Sequence, residues 1–586
     1  MARETRAAVP GAMTLVKTDA GSVRRGTTPP DELAAALSVL AIDEEYADGE
    51  IEQARRLGVR PLPRMTYEDL LQLAMRRFGP DHVLYDFVDE GVRLSVKELA
   101  ERSREFAVAL AHRGLRPGDA IAVWSPPAPL WPIAIFGAAA IGVRVCGLNT
   151  RYRAEELRQV LAVLDPALVF AATGFLGIDS PALLREALGD DRVERLIVAP
   201  VGSMGGDIAD LLTAGRSGSG PRRTGSTSHR DAALIQFTSG STAAPKGVLI
   251  TQSGSVAAAH YGAECLGISP DDRMYSPLPF FHIGGTISTG LAAVTSGCTM
   301  VIPRRFVAAD AARAIADGCT AFQGHGALWR MLLDEHRAEP RPLRGLRKGW
   351  ASGDAHFLAE VRTELGVENL INMYGSSESG TIACTLPDDP INVRLGSLGH
   401  PTPGTNVRVV VPGTTDAVGP GELGELCLSG TMSMLGYLGA RPVGDDWIRT
   451  GDLVRYEKGV LWYAGRTDDR LKPGGENVSV VEVEEFIRGD DTVEDVVVVG
   501  VPDHRLGEVP GAVVLVRGAE TLDTAARAKA AEAVIERCRQ GIAGFKVPRY
   551  VRVVDAMPML ETGKIDRRRV RAELLEHLRD DGADPL

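Results

Sequence analysis

Residues Phe237 to Val248 read FTSGSTAAPKGV, and this stretch decides how the rest of the chain is read. Thr238, Ser239, Gly240, Ser241 and Thr242 lead to a single lysine, Lys246, and a further glycine, Gly247. Small side chains let backbone N–H groups approach an anion, and hydroxyls with a lysine add donors to it. An apolar run, Ala232 to Phe237, enters as a strand, and a second apolar segment, Val248 to Ile250, leaves. A polar surface turn has a similar composition. The length of the run and its leading strand favour a phosphate-holding loop, and so a nucleotide-using enzyme. The run is not a P-loop, which ends in Gly-Lys-Ser/Thr, and it lacks the three spaced glycines of the dinucleotide fingerprint.

Outward from this loop, the chain has 586 residues, too many for one core, so at least two domains are expected. A formal net charge of −12 argues against a nucleic-acid partner, which calls for a basic face. One nucleotide needs only local positive charge. The seven cysteines are scattered with no Cys-x-x-Cys pair, so zinc and redox-dithiol chemistry are not indicated. They fit reduced thiols and a cytoplasmic location. The most apolar stretch, Leu130 to Val143, is too short to span a bilayer and reads as a buried helix, so no transmembrane segment is expected.

Residues 1–64 read as an N-terminal extension, its first thirty residues without periodicity and disordered. Within it, Asp31 to Leu57 has a helical pattern and either caps the next domain or meets a partner. From Met65 on, helical and strand-like segments alternate. Val96 to Gly114 is a helix announced by the capping-box spacing of Ser95 and Glu98, and Ala120 to Trp124 is a buried strand. Gly202 to Arg230 reads as an exposed Gly/Ser/Arg-rich loop. The alternation predicts an α/β fold, a large domain over 65–467 with parallel-rich sheets flanked by helices. After Asp468 the segments shorten: strands at Val496–Val501 and Ala512–Val516 and a helix at Ala525–Gln540 predict a small α+β domain over 468–586.

The phosphate-loop run resembles that of the adenylate-forming enzymes, the superfamily of acyl-CoA synthetases, peptide-synthetase adenylation domains and firefly luciferase. Further motifs stand in that family's order: PLPFFHIGG (277–285), NMYGSSESG (372–380), WIRTGDL (447–453), GRTDDRLKPGGEN (465–477) and TGKIDRR (562–568). The resemblance implies a mobile C-terminal domain and assigns roles by position. Thr238 to Thr242 and Lys246 hold ATP phosphates, with Gly353 and Asp354 against the nucleotide. Tyr374 packs on adenine, Ser377 contacts the α-phosphate, and Glu378 binds Mg²⁺, a hard cation suited to a carboxylate. Asp452 takes the ribose hydroxyls and Arg466 supports ribose or phosphate. Lys564 is the catalytic lysine, Asp468 the hinge, and Gly474 and Gly475 form the thiol loop. His282 lies near the acid.

Two runs depart from the family pattern. QGHGALW (323–329) replaces a Val-Pro-Thr-type run, and SGDAH (352–356) replaces Ser-Gly-Gly-Ala-Pro. They add His325, Asp354 and His356 to an ordinarily neutral wall. Facing outward they are inert; facing inward they imply a polar or aromatic acid, since unpaired polar groups in an apolar tunnel cost free energy. The implied activity is ATP-dependent acid:CoA ligation through an acyl-adenylate, with ATP, Mg²⁺ and CoA. A carrier-protein thiol as acceptor, or nitrite activated for coupling to an arylamine, stand as alternatives.

Overall fold

The computed structural model describes residues 45–190, 192–202, 207–217, 227–238, 245–343, 345–353, 355–444, 446–467, 470–471, 473, 478–503, 506–542, 544–560 and 564–580, with Leu33, Leu37 and Leu40. Two parallel-rich sheets form the frame among these residues, one of seven strands and one of nine. The strand Ala120–Trp124 runs near the middle of the first, with all five residues buried. It pairs in parallel with Arg144–Gly147 on one side and Leu168–Thr173 on the other. Burial on both faces is what a continuous apolar run in a parallel sheet provides.

The helix Val96–His112 starts at Ser95, whose hydroxyl accepts from Glu98 N at 3.3 Å while Ser95 N donates to the Glu98 carboxylate at 2.9 Å. Two orphan N–H groups are thereby satisfied reciprocally, as the spacing predicts. The apolar stretch becomes a buried helix, Leu130–Ala139. The segment read as a loop departs from expectation: Asp207–Ser217 is helical. Ile208, Leu211 and Leu212 face the core at helical spacing. The Gly/Ser-rich surroundings hide that short pattern.

The strand Ala232–Thr238 (β1) turns into Lys246–Thr251 (β2), which continues into the helix Gln252–Leu266 (α1). One hydrophobic core holds Ile121 and Leu234 of the seven-stranded sheet, Val256 and Tyr261 of α1, and Met274 and Met300 of the nine-stranded sheet. Val256 to Ala259 of α1 are all buried, as small and apolar side chains allow.

The N-terminal extension packs on α1. Tyr261 donates its hydroxyl to Glu50 at 2.6 Å. Arg60 pairs with Glu264 through its guanidinium and its backbone N, the latter at 3.1 Å. The Arg60 carbonyl lies 2.7 Å from the His260 ring nitrogen Nε2. Leu33 and Leu37 join the same core.

A four-stranded antiparallel sheet follows, ordered Thr405–Val410, Leu423–Gly430, Ile448–Glu457, Val460–Arg466. The C-terminal part has its own two cores, built from Leu471 onward. There the expected strands lie within Val493–Asp503 and Gly507–Val516, and the expected helix within Thr524–Gly541. Among the described residues no helix is long and apolar enough to cross a membrane.

Candidate active site

The phosphate-loop hairpin sets Thr238 opposite Lys246. Ser239, Gly240, Ser241 and Thr242 lie outside the described residues. The short strand Gly436–Tyr437 (β3) pairs antiparallel with β2, with Tyr437 opposite Val248. The Lys246 ammonium consequently stands 5.6 Å from the Tyr437 ring centroid, within cation–π reach. Tyr437 donates its hydroxyl to Glu378 Oε1 at 3.3 Å. The Glu378 carbonyl accepts from Met434 N at 2.7 Å, tying the two segments together. Burial and then the Glu378 carboxylate push the Tyr437 phenol upward, so it stays a donor. Lysine, tyrosine and glutamate from three separate stretches thus form one cluster. Tyr437 was not singled out in the sequence, because its role depends on strand pairing with β2.

The nucleoside-binding candidates meet on a neighbouring surface. Tyr374 donates its hydroxyl to Asp452 Oδ2, and Arg466 Nη1 donates to Asp452 Oδ1 at 3.0 Å. Arg466 also reaches the Thr450 carbonyl at 3.3 Å. The register explains the pair: Asp452 and Arg466 face each other across adjacent antiparallel strands. Burial, then the Asp452 charge, raises the Tyr374 phenol. Ser377, half-buried, follows the strand Asn369–Ser376 and directly precedes Glu378.

His282 caps a single helical turn, its Nδ1 accepting from Gly284 N at 3.1 Å. The turn needs its glycine, since a Cβ on Gly285 would lie 2.2 Å from the Pro279 carbonyl oxygen. The His282 ring is open to solvent yet has protein on most sides, the setting of a cleft wall. Burial pushes it down to about 4, and the ammonium of Lys564 adds to the shift, followed by His325. His325, half-buried at the head of the helix Gly326–Ala338, is lowered by burial and then by Lys564. Lys564 is an exposed residue of the C-terminal part. Its charge helps lower both imidazoles.

His356 is elsewhere. It is exposed and lines a separate crevice with Arg330 and Glu360 and with Arg488 and Arg517 of the C-terminal part. The helix Ala355–Glu364 turns it there while burying Phe357 and Leu358. The structure therefore does not bring His356 to the acid-pocket group in which the sequence reading placed it. Gly353 is exposed, and a Cβ there would meet Phe357 Cδ1 at 2.8 Å. Asp354, Asp468, Gly474 and Gly475 lie outside the described residues.

Between α1 and the nine-stranded sheet lies a small, partly open cavity. Ala259, Gly262, Leu266, Met300, Trp350 and Met373 give it a mainly apolar lining. Sequence reading expected polar residues here. Gln323 and Ser288 supply that polarity instead.

No group of three or more His, Cys, Asp or Glu among the described residues could enclose a metal. Mg²⁺ needs no such cage, because it commonly binds one or two carboxylates and substrate phosphates. The half-buried Glu378 beside Lys246 suits that mode.

Comparison with known proteins identifies the family. Residues 71–438 match the family described as AMP-binding enzyme, and residues 482–564 match its C-terminal domain. A 3-[(3aS,4S,7aS)-7a-methyl-1,5-dioxo-octahydro-1H-inden-4-yl]propanoyl:CoA ligase of Rhodococcus jostii (strain RHA1) is 31% identical, over 87% of this chain and 98% of the relative. A sulfoacetate–CoA ligase of Cupriavidus necator is 32% identical, over 83% and 93%. The crystal structure of ATP-bound MatB from Rhodopseudomonas palustris superposes with a TM-score of 0.76 at 23% identity, covering 88% of this chain and all of that one. The chain belongs to the AMP-binding enzyme family and is an AMP-forming, ATP-dependent ligase.

Proposed function

We propose that this protein joins a compact carboxylic acid to CoA in two steps at one centre. An acid oxygen attacks the α-phosphorus of ATP, the bond to the β-phosphate oxygen breaks, and pyrophosphate leaves. The CoA sulfur then attacks the acyl carbon of the adenylate, its proton goes to solvent, and AMP leaves. The observation that carries the reading is the cluster of Lys246, Tyr437 and Glu378, drawn from three separate stretches, together with the Tyr374–Asp452–Arg466 group.

The residues divide the work. Tyr374 offers a ring face to the adenine, a stacking surface for a planar base. Asp452, held by Arg466, presents its carboxylate to the ribose hydroxyls. Thr238, Lys246 and the run Ser239 to Thr242 take the phosphates, with Gly353, Asp354 and Ser377 around the α-phosphate. Glu378 would hold Mg²⁺, which would offset triphosphate charge when bound. Lys564 neutralises the charge that builds between carboxylate and α-phosphate, the kind of preorganised electrostatic stabilisation that dominates such reactions. Asp468 serves as the hinge on which Lys564 withdraws, and Gly474 and Gly475 then line the path of the thiol. Domain limits near 65 and 468 fit this division.

The test is pyrophosphate release measured over a panel of acids, with thioester followed separately. Acid-dependent release with stoichiometric loss of CoA is expected. Release without CoA loss would shift the acceptor to a carrier-protein thiol, and release requiring nitrite and an arylamine would displace acid ligation altogether.

A further inference from the structure

Gln323 ends the strand Ala321–Gln323 and is completely buried. Its Nε2 donates to Thr289 Oγ1 at 3.3 Å and to the Gly284 carbonyl at 3.5 Å. A backbone carbonyl can only accept, so the amide end facing Gly284 is the NH₂, which settles the orientation of the group. The remaining atom, Oε1, is buried and has no hydrogen-bond partner among the described residues. Gln323 also lines the apolar cavity beneath α1. A buried acceptor without a donor is costly, and native proteins rarely keep one without a use.

We propose that Gln323 selects the acid, its Oε1 accepting a hydrogen bond from a hydroxyl or amino group that the acid carries close to its carboxylate. This rests on the acid-ligase reading above. The position follows from the chain: Gln323 stands two residues before His325, within about 7 Å of backbone. Gln323 also contacts the turn that His282 caps, since His282 Nδ1 accepts from Gly284 N and Gln323 Nε2 donates to the Gly284 carbonyl, and His282 is the residue read against the acid carboxylate. The donor on the acid therefore sits near the carboxyl end, on an ortho ring position or an adjacent carbon. The rest of the acid is apolar, to match Ala259, Leu266, Met300 and Met373. A site that hydrogen-bonds its substrate rejects the analogue lacking that group far more strongly than an apolar wall separates two hydrocarbons.

The test uses two isosteric pairs: 2-aminobenzoate against 2-methylbenzoate, and 2-aminophenylacetate against 2-methylphenylacetate. Pyrophosphate release gives kcat/KM for each acid without depending on CoA. The parent should favour an amino acid of a pair by on the order of 30-fold. Gln323→Met, close in shape and without the amide oxygen, should erase that preference with the KM for ATP within about twofold. Ala259→Leu, filling the cavity, should raise the KM of every acid about tenfold or more and leave that of ATP alone. An unchanged preference in Gln323→Met overturns the proposal, as does an unchanged acid KM in Ala259→Leu. Should Gln323→Met not fold, equal kcat/KM within both pairs in the parent overturns it by itself. Turnover of other acids but of none of these four also counts against it. Absence of release with any acid sinks the ligase reading, and the Gln323 assignment with it.

Discussion

Lys564 and His282 are 282 positions apart in sequence, yet the lysine ammonium helps lower the His282 imidazole. Burial is the larger cause of a titration near 4, and Lys564 comes next. Removing the lysine should therefore release part of the shift. In Lys564→Ala, His282 and His325 should both titrate at higher pH than in the parent, as followed by NMR of their imidazole C–H signals. A His282 titration that does not move would place Lys564 away from the acid site.

Glu378 and Tyr437 allow a second, independent test of the phosphate end. Glu378→Gln keeps the shape but loses the charge that suits Mg²⁺, so apparent MgATP affinity and rate should both fall, by about tenfold or more. Tyr437→Phe removes the 3.3 Å hydrogen bond and leaves the ring under Lys246. Its effect should be smaller, about two- to fivefold, as for one modest hydrogen bond. Steady-state kinetics at varied Mg²⁺ decides; a Glu378→Gln enzyme with the parent's Mg²⁺ dependence removes Glu378 from the metal site.

Much of the candidate site was legible because its motifs are short runs. Consecutive small and hydroxyl residues make Thr238 to Lys246 visible as a string. Glu378 and Lys564 are likewise marked by their neighbours. The fold was legible where one local rule decides, as with the capping pair Ser95 and Glu98 or the buried strand Ala120–Trp124. Tyr437 and Gln323 were not singled out, since each acquires its role from elements remote in sequence: Val248 across a strand pair, and Gly284 and Thr289 behind a cavity wall. His356 shows the converse, a polar residue in a suggestive run that its helix turns toward another crevice. The helix Asp207–Ser217 was missed because Gly and Ser around it outweighed Ile208, Leu211 and Leu212.

The extension before residue 65 should matter for stability. The Arg60–Glu264 pair is largely buried, with side-chain exposures of 18% and 12%. Arg60→Ala strands the Glu264 charge, a change worth about 3 kcal/mol when a buried pair loses one partner. The denaturant midpoint should drop accordingly with little change in slope. Because α1 lines the cavity proposed for the acid, the KM for acid should rise more than that for ATP. A midpoint equal to the parent's would show that the extension does not brace α1.

Stability should also decline on the acid side through His260. It is 2% exposed, and burial pushes it down to about 4 from an ordinary 6.5, against the opposing pull of Glu264. The folded state binds fewer protons here than the unfolded chain, so stability rises with pH. The His260 contribution is complete above about 6.5 and is lost as pH falls towards about 4. Thermal unfolding across this window should show a falling midpoint that is flatter in His260→Gln. Parallel curves for the two proteins would contradict the assignment.

Lys564 should drive adenylation at this cavity and be dispensable for thioester formation. Acid-dependent ATP–pyrophosphate exchange, compared with thioester formation from preformed acyl-adenylate and CoA, separates the two halves in Lys564→Ala. Exchange should fall about 100-fold or more, as for loss of a group that stabilises transition-state charge, while the second half stays within about threefold of the parent. Exchange at the parent's rate, or equal losses in both halves, would contradict that role.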